Sequence, residues 1–112
     1  MLKVFAFLSK REGMTTQEFR EYYEQKHVPF VLGLARAPAV YKRNYLRRGD
    51  PFNLEDAAHV FDVVTELVFA DQAALNEWMT TLSVQEVAED EARFLERSKT
   101  RCYVIDECET VT

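Results

Sequence analysis

Residues 2–9, LKVFAFLS, carry apolar side chains at nearly every position. A strand with that pattern is covered on both of its faces. KREG follows as a turn. TTQE then reads as a capping box, in which Thr15 caps a helix and Glu18, three residues on, reaches back. Phe19, Tyr22, Tyr23, His27 and Phe30 recur at three- and four-residue spacing and define one broad helical face. Pro29 has no N–H and pushes Val28 away from helical geometry, so a kink or break is expected there, with helical turns resuming to about Leu34.

The segment 37–48, APAVYKRNYLRR, alternates Tyr41, Arg43, Tyr45 and Arg47 against Val40, Lys42, Asn44 and Leu46, which predicts a second, partly polar strand. GDPFNLEDAAH is a loop by its Gly, Asp, Pro and Asn content. FDVVTELVFA, residues 61–70, predicts a third strand with Phe61, Val63, Thr65, Leu67 and Phe69 on one face and Asp62, Val64, Glu66 and Val68 on the other. Asp71 can cap a helix carrying Ala74, Leu75, Trp78 and Met79. SVQE offers a second capping box, Ser83 with Glu86, opening a helix with Val84, Val87, Ala88, Glu91, Phe94 and Leu95. TRCYVIDECE, residues 100–109, is the last expected strand.

The order βαββαβ predicts an α+β, ferredoxin-like fold: a four-stranded antiparallel sheet with helices on one face, filling residues 1–112 as a single domain. The other face also carries Val and Phe side chains, and no element remains to cover it. A second copy of the sheet is the simplest cover, which predicts a homodimer paired into a shared α+β barrel.

Composition narrows the partners. The net charge of −5 argues against nucleic acid, since phosphate binding needs a concentrated basic patch and Lys42, Arg43, Arg47 and Arg48 form only a short one. The longest early apolar run, Val4 to Leu8, is far short of the ~20 residues of a membrane-spanning helix, and the expected compartment is the cytoplasm. Cys102 and Cys108 belong to no metal or redox motif and are expected as buried or half-buried thiols. His27 and His59 are the two histidines and show no ligand spacing, so no metal is expected. The three glycines are isolated, and no cofactor is expected either.

KREGMTTQEFREYYEQKHVP resembles the opening signature of the EthD family: a strand, a basic-x-x-Gly turn, a capped helix with Phe and paired aromatics, then His-x-Pro. FDVVTELVFAD, WMTTLSVQEVAEDEARFL and the final strand resemble its second half, so the likeness covers roughly residues 1–108. The resemblance implies a dimeric α+β barrel. It also implies kinship with small cofactor-free enzymes that decarboxylate or dehydrate aromatic polyketides, and with related barrels that act as cofactor-independent monooxygenases and polyketide cyclases. Family members often show Trp at the position of Tyr23, which here adds a hydroxyl.

Three residues are candidates for chemistry. His27 is of the residue type best suited to taking or giving a proton at working pH, or it can simply close a helix C-terminus. Tyr23 is its neighbour four residues earlier and a candidate proton donor. Glu66 is an acid or base if buried, or a salt-bridge partner of Arg43 or Arg101. Phe5, Phe7, Tyr41, Trp78 and Phe94 are the candidate substrate-binding residues, each of which can equally be core. Asp90 and Glu91 match the family motif and are expected in a structural ion pair. The expected activity is that of a cofactor-free decarboxylase, dehydratase or cyclase acting on a small aromatic or polyketide-like compound. A carrier or accessory protein for a hydrophobic small molecule is the alternative, with a cofactor-independent monooxygenase chemically adjacent.

Overall fold

A computed structural model describes residues 1–112, with only the side chain of His59 outside the description. Strands β1 (Leu2–Leu8), β2 (Val40–Tyr45), β3 (Val63–Phe69) and β4 (Arg101–Ile105) form one antiparallel sheet in the order β2-β3-β1-β4. That is the order the ferredoxin-like pattern requires. Helices α1 (Thr16–Tyr22), α2 (Val28–Leu34), α3 (Gln72–Thr81) and α4 (Gln85–Ala92) make up the connections. No helix among the described residues is long and apolar enough to cross a membrane.

Register decides the two faces. Val4, Ala6 and Leu8 of β1 stand beside Leu67, Thr65 and Val63 of β3, and all six are buried under the helices. Phe5 and Phe7 stand beside Glu66 and Val64 on the opposite face and are only half-buried. Phe61 lies ahead of β3 and packs its ring on Phe7 at 5.2 Å, so it belongs to this open face and not with Val63 as the alternation predicts. The alternation fails there because Phe61 is outside the pleated segment.

All four strands are shorter than the patterns suggest. Cys102 and Cys108 are both exposed, contrary to expectation. β4 is an edge strand, and four of its five residues are exposed.

The capping box at Thr15 forms in both directions: Glu18 N–H donates to Thr15 Oγ1 at 3.1 Å and Thr15 N–H donates to Glu18 Oε1 at 3.0 Å. Gly13 makes the preceding turn with φ +91, where a side chain is strained. Asp71 caps α3 by accepting from Ala74 N–H at 2.9 Å. The second expected box does not form. Val84 is the N-cap of α4 and makes no side-chain cap, while Ser83 turns back to donate its hydroxyl to the Met79 carbonyl.

Helices α1 and α2 run on without a break at Pro29. They are joined by a π-helical turn over Tyr23–His27, and Val28 keeps helical dihedrals (φ −57, ψ −52) and donates its N–H to the Tyr23 carbonyl. The expected kink is replaced by this widened turn. Pro29 lacks an N–H and its ring clashes with the carbonyl four residues back in a regular helix; the wider turn, with Val28 N–H reaching back five residues to the Tyr23 carbonyl, makes room for the ring.

Candidate functional site

The widened turn fixes the candidate site. It buries Tyr23 and His27 together, with 2% and 7% of their surfaces exposed, and sets their rings edge to face at 5.3 Å. Phe94, fully buried just beyond α4, lies 4.8 Å from the His27 ring and 5.3 Å from that of Tyr23. Phe19 and Tyr22 close the aromatic cluster at 5.8 and 5.1 Å from Phe94.

Two polar arrangements are built into these aromatics. In the first, His27 Nδ1 lies 2.6 Å from Asp90 Oδ2, and the Tyr22 hydroxyl donates to Asp90 Oδ1 at 2.7 Å. Burial and the adjoining carboxylate push the Tyr22 phenol up from its ordinary value, so it stays a proton donor at neutral pH. In the second, the Tyr23 hydroxyl meets Thr65 Oγ1 on β3 at 2.6 Å, and burial pushes its ionisation well up. Tyr41, on the adjacent strand, is pushed up for the same first reason and by the neighbouring Tyr23.

A third arrangement braces the π turn against β2. Glu24 accepts from Arg43 Nε at 2.9 Å and Nη2 at 2.7 Å, and from the Tyr45 hydroxyl at 2.6 Å. The Arg43 hydrogen bonds hold the Glu24 carboxyl below its ordinary value. Arg43 also lies over the Tyr41 ring at 4.8 Å, and Arg20 over Tyr45 at 4.7 Å.

The residues singled out in the sequence do not all converge. Tyr23, His27 and Phe94 meet. Glu66 is on the open face, across the sheet from His27, where its carboxylate lies 3.5 Å from the Lys3 ammonium. Its expected partners are engaged elsewhere: Arg43 on the helix face with Glu24, and Arg101 with the carbonyls of Ser98 and Thr100. Asp62 precedes β3 instead of sharing a face with Glu66; it accepts from the Lys10 N–H at 2.7 Å and pairs with Arg48 at 3.4 Å. Phe5 and Phe7 face away from the helices, so they share no cavity with Tyr41, Trp78 and Phe94. Tyr41 and Phe69 flank Trp78, each with ring centroids 6.0 Å from it.

The carboxylate that reaches His27 is Asp90. The pattern places Glu91 on the buried stripe of α4, but the helix turns Asp90 inward with Val87 and leaves Glu91 to Arg97 at 3.3 Å. The legible signal is spacing: Val87, Asp90 and Phe94 fall at three and four residues, which puts a carboxylate into an apolar stripe. Thr65 carries a weaker one, as the lone hydroxyl among Val63, Leu67 and Phe69.

Among the described residues, no His27, Tyr23 or Asp90 atom lines the best-formed clefts. One cleft of about 430 Å³ lies between the α2–β2 connection and α3, lined by Ala35, Ala39, Phe69, Ala74 and Trp78. Another, of about 550 Å³, lies on the open sheet face against Phe7, Phe61, Arg101 and Tyr103. Among the described residues, no group of three or more His, Cys, Asp and Glu side chains is placed to hold a metal ion.

The model of the EthD domain matches residues 11–98. The chain belongs to the EthD family. Solved structures agree on the fold. The protein At3g17210 of Arabidopsis thaliana superposes with a TM-score of 0.70 at 12% identity, over 100% of each chain. An EthD family protein of Bacillus halodurans superposes with a TM-score of 0.63 at 19% identity, over 96% of this chain and 99% of that one. No curated protein matches the chain in sequence. In this EthD domain the His-x-Pro of the opening signature is thus a buried histidine on a π turn, with a carboxylate from α4 against its ring.

Proposed function

We propose that this EthD-family chain is a cofactor-free enzyme acting on a small aromatic or polyketide-like compound, with His27 as general acid and base. The observation that carries the reading is His27 itself. Its ring is buried among aromatics with Nδ1 tied to a carboxylate, an arrangement suited to aiming a proton-transfer group. Decarboxylation, dehydration and aldol-type cyclisation all pass through an enol or enolate and need one proton moved. In a decarboxylation, for example, loss of carbon dioxide leaves the electron pair on carbon, and the imidazolium returns a proton to that carbon. Tyr23, kept neutral by burial, is the second proton-bearing group beside the ring.

The reading includes a homodimer in the cytoplasm. Phe5, Phe7, Phe61 and Tyr103 leave an aromatic surface on the open sheet face, and a second copy of that face is its simplest cover. Lys3 and Lys42 lie with Glu66 and Glu107 around a cleft on the same face, Lys3 already pairing with both carboxylates within the chain.

The test is turnover of aromatic β-keto acids and poly-β-ketone analogues by the purified protein. His27→Ala lowers the rate by roughly 10²–10⁴-fold if the ring moves the proton. Turnover unchanged in His27→Ala sinks the reading. A second reading, a carrier of a hydrophobic small molecule, draws support from the apolar cleft beside Trp78. Ligand binding that quenches Trp78 fluorescence, with no turnover and no response to His27→Ala, favours the carrier.

A further inference from the structure

We infer that Asp90 is a positioning residue: it locks His27 in the tautomer with the proton on Nδ1 and leaves Nε2 as the nitrogen that exchanges protons, with Tyr22 holding the carboxylate in place. The inference rests on the reading of His27 as an acid–base group, and it names the atom through which that group works.

The geometry points this way in three steps. At 2.6 Å, Nδ1 and Asp90 Oδ2 must share a proton, since two lone pairs at that separation repel. Asp90 is set up as the acceptor. Its other oxygen already accepts the Tyr22 hydroxyl at 2.7 Å, and the Arg93 guanidinium lies 3.7 Å from that oxygen. A carboxylate that already accepts from Tyr22 and faces a guanidinium is oriented to accept again, which places the shared proton on Nδ1.

Nε2 is the other ring nitrogen of His27. It makes no hydrogen bond to any described residue, yet no buried side-chain nitrogen or oxygen among them is left without a partner. The Nε2 atom is therefore not sealed in, although 9% of the His27 side chain is all that reaches the surface. One nitrogen is clamped and the other makes no hydrogen bond to a described residue. The groups around the ring are otherwise apolar or neutral: Phe94 at 4.8 Å and Tyr23 at 5.3 Å. Asp90 itself touches no open space to speak of, with 7% of its side chain exposed, so it acts through His27 and not on a substrate.

The experiment reads the tautomer directly in the free protein. Histidine is labelled with ¹⁵N, and long-range proton–nitrogen correlations are recorded above the titration of the ring. His59→Gln removes the signals of the other histidine. The expected result is a His27 ring protonated at Nδ1 in the wild type, with Asp90→Asn shifting it toward the Nε2-protonated form that prevails in water. A wild-type ring protonated at Nε2, or tautomer populations unchanged in Asp90→Asn, overturns the inference. The wild-type reading needs no variant to fold. Turnover is measured separately. Asp90→Asn lowers kcat by as much as roughly 10²–10⁴-fold, the full worth of the proton-transfer step, with KM unchanged. A loss confined to KM overturns the positioning role. An Nδ1-protonated ring in a protein that turns over no compound instead sinks the enzymatic reading alone and leaves the Asp90 clamp standing.

Discussion

Removing the hydroxyl of Tyr23 tests whether its bond to Thr65 is a structural pair. Tyr23→Phe keeps the ring, 2% exposed, against Phe19, Phe94 and Tyr45, and deletes one oxygen. The lost hydrogen bond, 2.6 Å between buried groups, is worth about 1 kcal/mol net. Thr65 is itself 2% exposed, and its hydroxyl then loses its Tyr23 partner in a place that water does not reach, which adds about 1 kcal/mol or more. Tyr23→Phe should therefore destabilise by about 2 kcal/mol. Thr65→Val, nearly isosteric, should cost a similar amount by removing the Thr65 partner of the buried Tyr23 hydroxyl. The double variant removes both polar groups together and should cost less than either single change. The assay is urea unfolding at one fixed protein concentration, read as midpoint shifts with an unchanged slope. The double-mutant cycle should return a coupling of more than about 2 kcal/mol. Additive single effects, with a coupling below about 0.5 kcal/mol, would refute the reasoning; the phenol would then find its stabilisation elsewhere, Tyr41 being the nearest candidate.

Other expectations follow from neighbouring contacts. Glu24→Gln should cost about 1–2 kcal/mol at pH 7, a charge-assisted bond discounted for the 34% of the Glu24 side chain that water reaches. Because folding depresses the Glu24 carboxyl, its contribution is complete above the unfolded-state value of about 4.3 and is lost as pH falls through the lower folded value. Unfolding midpoints of wild type and Glu24→Gln should converge in that acid range, and parallel curves would contradict the pair. Phe94→Ala, at a position with 0% exposure touching Phe19, Tyr22, Tyr23 and His27, should cost about 3–5 kcal/mol in thermal or urea unfolding, and a loss under about 1.5 kcal/mol would mean the cluster collapses into the space. Phe7→Glu, on the open sheet face, should shift sedimentation from the proposed dimer to the 13.1 kDa monomer while circular dichroism is retained. An unchanged sedimenting mass would exclude that face as the interface.

Some of this protein was fixed by local rules that any stretch of chain obeys. Strand alternation, the Thr15 and Asp71 caps and the turn at Gly13 depend on neighbours within a few residues, and βαββαβ order leaves few ways to close a sheet. The sequence likewise exposed the family, because the basic-x-x-Gly turn, paired aromatics and His-x-Pro sit within one short stretch. What it did not decide was which groups meet. Glu66 and Phe5 look equivalent to Thr65 and Ala6 along their strands, yet a shift of one residue sends a side chain to the opposite face of the sheet. Asp90 and Glu91 are adjacent carboxylates separated by about 100° around a helix, and only the packing of α4 against α1 and the π turn chose Asp90 to face His27 across 63 residues of chain. The same holds for the turn at Pro29. A proline specifies that a regular hydrogen bond is missing, but the buried Tyr23 and His27 decide that the helix widens instead of ending, because a break there would pull both rings out of the core.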